Sequence, residues 1–356
     1  MRDEFDFFIC GWNVSMMGPA VIVSRSLKLL ILTSVCVAFA VKAEPIEVIS
    51  LALPIRCELG VTCFVQNYVD HKDSDKARDY RCGGRTYHGH DGTDIRIPNL
   101  EIQNKGVEVL AAAPGRIVGV RDGVDDISVR IAGKAAVAGR QCGNGAVIEH
   151  EKGWQTQYCH MAKGSLRVKL GDQTVTGQSI GLVGLSGDTE FPHLHFTVRH
   201  RGKIVDPFAF DALPNSCGGG HTIWVDSIHE QTEYRAREIL NYGFSDLAPT
   251  MDLIESGDVA RRPITAGAEA LVAYVRTIGL QAGDQQILTV QSPDRTALSE
   301  YRPPALDHDE AQSFISAGRK QREVAWPTGI YVASYRVVRD GTEVLSKEFR
   351  ISVNSK

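Results

Sequence analysis

The sequence lacks the features that would direct it to nucleic acid or into a bilayer. Net charge is −4, no long run of one sign occurs, and no concentrated basic face is present to meet phosphates. The apolar run Leu29–Val41 falls short of the roughly 20 residues a helix needs to cross a bilayer. There is no HExxH, which excludes the metalloprotease class that places its glutamate base there. There is no CxxC, which disfavours a thiolate zinc site. Internal repeats and low-complexity tracts are also missing. What remains is ordinary globular composition: 356 residues, 43% hydrophobic and 23% charged, a length that suits about two domains.

Arg25 and Lys28 precede the apolar run, and Val41-Lys42-Ala43 follows it with small side chains. A basic flank, a short apolar centre and small residues at the exit read as a secretory signal over residues 1–43, cleaved after Ala43. Residues 1–15 are acidic and aromatic, unlike the start of such a signal, so translation is expected to begin at Met16 or Met17. Val35 stands where a lipoprotein signal wants a small residue, so Cys36 is not expected to carry lipid. The protein is thus expected to cross the inner membrane into the periplasm and to keep no membrane contact after the signal leaves. Cys10 and Cys36 would leave with it. The six remaining cysteines, Cys57, Cys63, Cys82, Cys142, Cys159 and Cys217, form an even set in an exported chain and are expected to be disulfide-bonded within the first domain. Cys142 and Cys159 flank a hairpin and could meet across it, although the register matches poorly.

Residues 44–217 read as short β-branched or aromatic runs cut by glycine turns, with no helical periodicity of any length; antiparallel β structure is expected. Cys217-Gly-Gly-Gly-His221 marks a boundary, because three glycines loosen the chain. Residues 218–261 are expected to be a linker with one short amphipathic helix over 230–241. Residues 262–356 return to strands, with Asp340-Gly341 as a hairpin turn, and suggest a small immunoglobulin-like β-sandwich.

Four of the eleven histidines fall into three short motifs. These are His90-Asp-Gly-Thr-Asp94, Tyr158-Cys-His160-Met161 and Pro192-His193-Leu-His195-Phe196. Residues two apart on a strand share a face, so His193 and His195 point into one cavity. Two imidazoles flanked by apolar residues are costly to bury unless something satisfies their nitrogens, and a metal ion does so. A catalytic zinc usually takes three protein ligands and leaves a fourth position open. His90, Asp94 and one of the 193/195 pair would supply that set. Taken singly, each motif is more often structural; it is their joint order that carries information. His88 reads as a neighbour of the site. His150, His200, His221, His229 and His308 read as solvated, and His71 as a loop residue.

From about Tyr87 to Pro207 the sequence resembles the lysostaphin-type (LytM-like) zinc metallopeptidases that cut peptidoglycan cross-links. The resemblance is carried by His90-Asp-Gly-Thr-Asp94, Ala111-Ala-Ala-Pro-Gly115, Gly145–His150, Tyr158–Met161 and the glycine-rich Gly171–Gly187 leading to Pro192–Phe196. It implies that His90, Asp94 and His195 bind one catalytic Zn2+, with His160 and His193 as the non-ligand histidines that move protons. Cys159, where the family usually has a small residue, and the C-terminal strands depart from the family pattern without touching those positions. The fold class implied is all-β: an antiparallel β-sheet metallopeptidase domain followed by a small immunoglobulin-like β-sandwich. The expected function is zinc-dependent hydrolysis of peptide cross-links in bacterial peptidoglycan. The alternative is a zinc-bearing wall-binding regulator that recruits another hydrolase, with the C-terminal domain engaging a protein partner.

Overall fold

The computed structural model describes residues 47–72, 76–322 and 324–355. The expected signal, with Cys10 and Cys36, lies outside the described residues. The N-terminal half is built from β1 (Phe64–Asn67), β2 (Thr93–Arg96), β3 (Glu108–Leu110), β4 (Gly115–Arg121), β5 (Asn144–Glu149), β6 (Trp154–Met161), β7 (Gln173–Thr174), β8 (Ser179–Leu182), β9 (His193–His200) and β10 (Lys203–Val205). The main sheet runs β1-β2-β9-β6-β5-β4-β7, with β10 also paired to β9, while β3 and β8 pair separately. Every pairing is antiparallel.

The alternation of β9 positions the rest. Leu194, Phe196 and Val198 are buried in a core with Ile95, Ile148 and Tyr158. Each such side chain contributes roughly 1.5–3 kcal/mol on burial. With those three on the core face, His193, His195, Thr197 and Arg199 share the opposite face. Two short helices interrupt the strands, α1 (Leu100–Lys105) and α2 (Val129–Ala132). The Asn99 side chain starts α1 by accepting a hydrogen bond from the Ile102 amide at 3.0 Å. Six residues make too little of a 3.6-residue period to be read from sequence.

The C-terminal half contains β11 (Glu238–Ser245), α3 (Met251–Ser256), β12 (Ala270–Leu280), β13 (Gln285–Gln291), β14 (Ala297–Tyr301), β15 (Glu310–Lys320), β16 (Gly329–Arg339) and β17 (Thr342–Val353). One sheet is ordered β11-β12-β15 and the other β14-β13-β16-β17. Phe244, Leu271, Val275 and Ile315 from the first meet Leu288, Tyr331, Tyr335 and Phe349 from the second in one core. This two-sheet order is compatible with the immunoglobulin-like sandwich expected from the sequence. The helix expected over 230–241 is absent. Glu238–Ser245 is a strand that pairs with β12, and Leu240 packs on Phe64 and Ile278. The apolar residues that suggested a helical face are used by pairing instead, and Tyr242-Gly-Phe244 continues the strand. Helix falls at Met251–Ser256, where Thr250 caps it through the Leu253 amide. Beyond the three glycines, Ile223 and Trp224 still belong to the N-terminal core.

Three disulfides form: Cys57–Cys63, Cys82–Cys217 and Cys142–Cys159. The last is the pair whose register looked poor. Cys142 lies just before β5, and a turn at Gly143, with φ of 64°, lets its carbonyl accept from the His160 amide at 2.8 Å, so the two cysteines meet off the regular register.

Candidate metal centre

Strand pairing assembles the cluster. Asp94 of β2 and Cys159 of β6 both stand directly opposite His195 of β9, and Arg96 stands opposite His193. His90 arrives on the turn before β2. That turn runs so close to β9 that a Cβ on Gly92 would sit 2.7 Å from the Nε2 of His195, so only glycine fits. His160 follows Cys159 and would face the opposite side in a regular strand. Instead it takes a left-handed φ of 60°, and its ring lies 4.7 Å from that of His193 and 5.9 Å from that of His195. Backbone held in this region marks a position fixed by its surroundings.

All five residues expected from the sequence therefore come together. His90 Nε2 lies 3.2 Å from Asp94 Oδ1 and 3.3 Å from His195 Nδ1, and Asp94 Oδ1 lies 2.8 Å from His195 Nδ1. Tetrahedral donors at usual zinc distances would be about 3.3 Å apart, so the three edges fit one small cation. Proton positions make the same point. His90 Nδ1 donates to the Tyr68 carbonyl at 2.7 Å, so Nε2 is the nitrogen turned to the Asp94 carboxylate. A ring nitrogen and a carboxylate oxygen held this close are both satisfied by a proton or a cation lying between them. His160, His193 and His195 form a second, overlapping group of donors. It has no carboxylate, and two of its rings are anchored as follows.

His193 Nδ1 lies 3.0 Å from the Phe191 carbonyl and 3.1 Å from the Thr189 hydroxyl, which itself donates to the Phe191 carbonyl at 2.8 Å. His193 Nε2 is 3.3 Å from Asp94 Oδ1. His160 Nδ1 donates to the Ser186 carbonyl at 2.8 Å. Burial, with the neighbouring His193 and His195, holds the His160 imidazole well below its ordinary range, so it is neutral. Burial opposes a charge on Asp94, but His193 and His90 overcome it and keep the carboxyl well below its usual range. Burial likewise opposes the charge on His195, but Asp91 and Asp94 raise it to about 9.

Sequence reasoning missed the supporting residues. Asn67 donates to Asp94 Oδ2 at 2.9 Å, and His195 Nε2 faces Thr197 Oγ1 at 3.0 Å and Asp91 Oδ1 at 3.2 Å. Thr197 was recoverable from the period-two spacing after His195, whereas Asn67 carries no local signal. His150, expected in solvent, is buried between the Pro114 carbonyl and Thr156 Oγ1. His71, expected as a simple loop residue, pairs with Asp206 at 2.8 Å. A cavity of about 270 Å³ opens beside the cluster, bordered by Tyr87, Asp91, Gln157, His160, His195 and Arg199.

Buried histidines and a carboxylate converging on an antiparallel sheet beside an open cavity define a candidate His/Asp metal centre. Comparison with protein families narrows this: residues 88–207 match the model of Peptidase family M23. The chain is 33% identical over 127 residues to the cell division protein DipM of Caulobacter vibrioides, covering 33% of this chain and 17% of that protein. It is 34% identical over 122 residues to the peptidoglycan DD-endopeptidase ShyB of Vibrio cholerae, covering 34% of this chain and 23% of ShyB. It is 30% identical over 115 residues to the murein hydrolase activator EnvC of Escherichia coli, covering 32% of this chain and 27% of EnvC. The similarity thus spans only a minor part of each relative.

Proposed function

We propose that the protein is a zinc-dependent endopeptidase that hydrolyses peptide cross-links of bacterial peptidoglycan. The observation that carries this reading is the convergence of His90 Nε2, Asp94 Oδ1 and His195 Nδ1 to within 3.3 Å of one another beside an open cavity. The similarity to ShyB supports the substrate class. In this reading residues 1–43 are an export signal, the protein works in the periplasm, residues 44–217 carry hydrolysis, and the C-terminal strands form an immunoglobulin-like module with a protein partner.

His90, Asp94 and His195 would hold the ion. When bound, a zinc ion supplies Lewis-acid activation of water and of the scissile carbonyl. The proton work falls to His160 and His193. Nδ1 of each ring is taken up by a carbonyl oxygen, so Nε2 is the nitrogen left to exchange a proton with water. Whichever ring has taken the proton of the attacking water becomes a donor. It can then hydrogen-bond the developing oxyanion and pass the proton to the leaving amine. The cavity bordered by Tyr87, Gln157 and Arg199 would receive the peptide on one side of the scissile bond.

The test is digestion of purified sacculi by the zinc-loaded protein and by His193→Ala, read as muropeptide profiles alongside metal content. New cleavage products from the wild type alone, with equal zinc in both, are expected. Identical profiles would remove the hydrolytic reading. The similarity to EnvC favours a second reading, a zinc-bearing regulator that activates another hydrolase. That reading gains if neither protein cuts sacculi alone but both stimulate an added wall hydrolase.

A further inference from the structure

Glu255 lies on α3, outside the M23 segment, yet three contacts connect it to His193. Its Oε2 accepts from Arg96 Nη2 at 2.6 Å and also pairs with Arg276 of β12. Arg96, next after Asp94 on the same face of β2, is 1% exposed, and its Nη1 donates to Gln312 Oε1 of β15 at 2.6 Å. The Arg96 guanidinium carbon stands 3.9 Å over the Phe191 ring. Phe191 in turn places its ring 4.9 Å from that of His193 and its carbonyl oxygen 3.0 Å from His193 Nδ1. One side of Phe191 faces a cavity of about 370 Å³ shared with Arg96, Leu100, Met251 and Glu255. Packing is therefore incomplete there, and the guanidinium stack is what fixes the ring. Two buried guanidiniums depend on one carboxylate, so losing Glu255 leaves buried positive charge without its partner.

We propose that Glu255 is a positioning residue for His193: through Arg96 and Phe191, the C-terminal half holds the imidazole in the tautomer that keeps its Nε2 lone pair toward the cluster. The proposal rests on the assignment of His193 to proton transfer, and it extends the proton-transfer apparatus into a part of the chain that the family match does not cover.

The full-length, zinc-loaded protein is assayed on soluble cross-linked muropeptides prepared from sacculi, and the metal-free protein by imidazole ¹⁵N NMR at a pH where the ring is neutral. In Glu255→Gln, kcat is expected to fall by about tenfold or more with KM and zinc content unchanged. The His193 signals are expected to move from the Nδ1–H form towards a mixture of tautomers. Glu255→Asp should recover part of both. Asp284→Asn is the control, because Asp284 is a fully buried carboxylate of the sandwich, paired to Arg237 at 2.6 Å, with no contact to this path. It should lower the melting temperature and leave kcat and the tautomer alone. Wild-type kcat and an unmoved His193 signal in folded Glu255→Gln would overturn the proposal. An equal kcat loss in Asp284→Asn would do the same. If Glu255→Gln does not fold, Phe191→Leu keeps the charges and must give the same two changes, with Phe191→Tyr restoring them. If the wild type cuts nothing while Glu255→Gln alone moves the tautomer, the hydrolytic reading fails and the positioning stands.

Discussion

At the scale of single residues, the site is a problem in proton placement. Burial disfavours a charged His195, yet Asp91 and Asp94 raise it to about 9, so the metal-free protein holds a proton there at neutral pH. A metal ligand must give that proton up. Zinc uptake near pH 7 is therefore expected to release about one proton per ion, and the release should vanish above pH 9 to 10. Titration calorimetry in two buffers of different ionisation enthalpy checks this. His71 gives a separate test. Burial lowers its pKa, but the hydrogen bond and charge of Asp206 outweigh burial and raise it above the ordinary 6.5. A group raised on folding stabilises most fully below its unfolded value, and that contribution is lost as pH climbs through the folded one. Urea midpoints of the wild type are thus expected to decline from pH 6.5 upward relative to His71→Gln. Equal pH dependence in the two proteins would contradict the pairing. That His193 and His195 share a face was legible in the sequence because a strand fixes which residues share one, whereas the choice of His195 beside His90 and Asp94 came only from the family resemblance. Asn67 and the Phe191 carbonyl were not legible, since long-range pairing and a backbone atom leave no local pattern.

At the scale of elements, the strands recognised from sequence were those whose β-branched runs end at a sharp turn. Asp340-Gly341 is the clearest. Arg339 pairs with Thr342, and the two turn residues have φ of 49° and 78°, the left-handed pair that a two-residue hairpin requires. Gly341→Ala is expected to cost about 1 kcal/mol in urea denaturation, from placing a Cβ in that region. A loss below a few tenths would argue against the turn. β11 was misread because a short amphipathic stretch satisfies two periods, and only the presence of β12 beside it decides between them. The bulge at Asn144 and the left-handed His160 were equally invisible. Both depend on how β5 and β6 pair and on a disulfide between residues 17 apart in sequence, and neither is local.

At the scale of the whole molecule, sequence reasoning placed the disulfide cysteines in the N-terminal half and strands in the C-terminal half, without assigning those strands to sheets. It did not anticipate that buried arginines from the two halves, Arg96 and Arg276, share Glu255. Nor did it find Cys82–Cys217, which joins residues 135 apart in sequence. Replacing that pair by alanine is expected to lower stability by roughly 2–5 kcal/mol, measured as a shift in guanidinium midpoint. A midpoint unchanged by the double substitution would mean that the bridge adds nothing. His90, Asp94, His160, His193 and His195 all fall inside the loop this bridge closes. Peptide-bond cleavage anywhere in that ring, for instance at the exposed Ile131, would open the circle without separating its ends. A once-nicked molecule would migrate as intact on a non-reducing gel and fall into two pieces only when thiol is added.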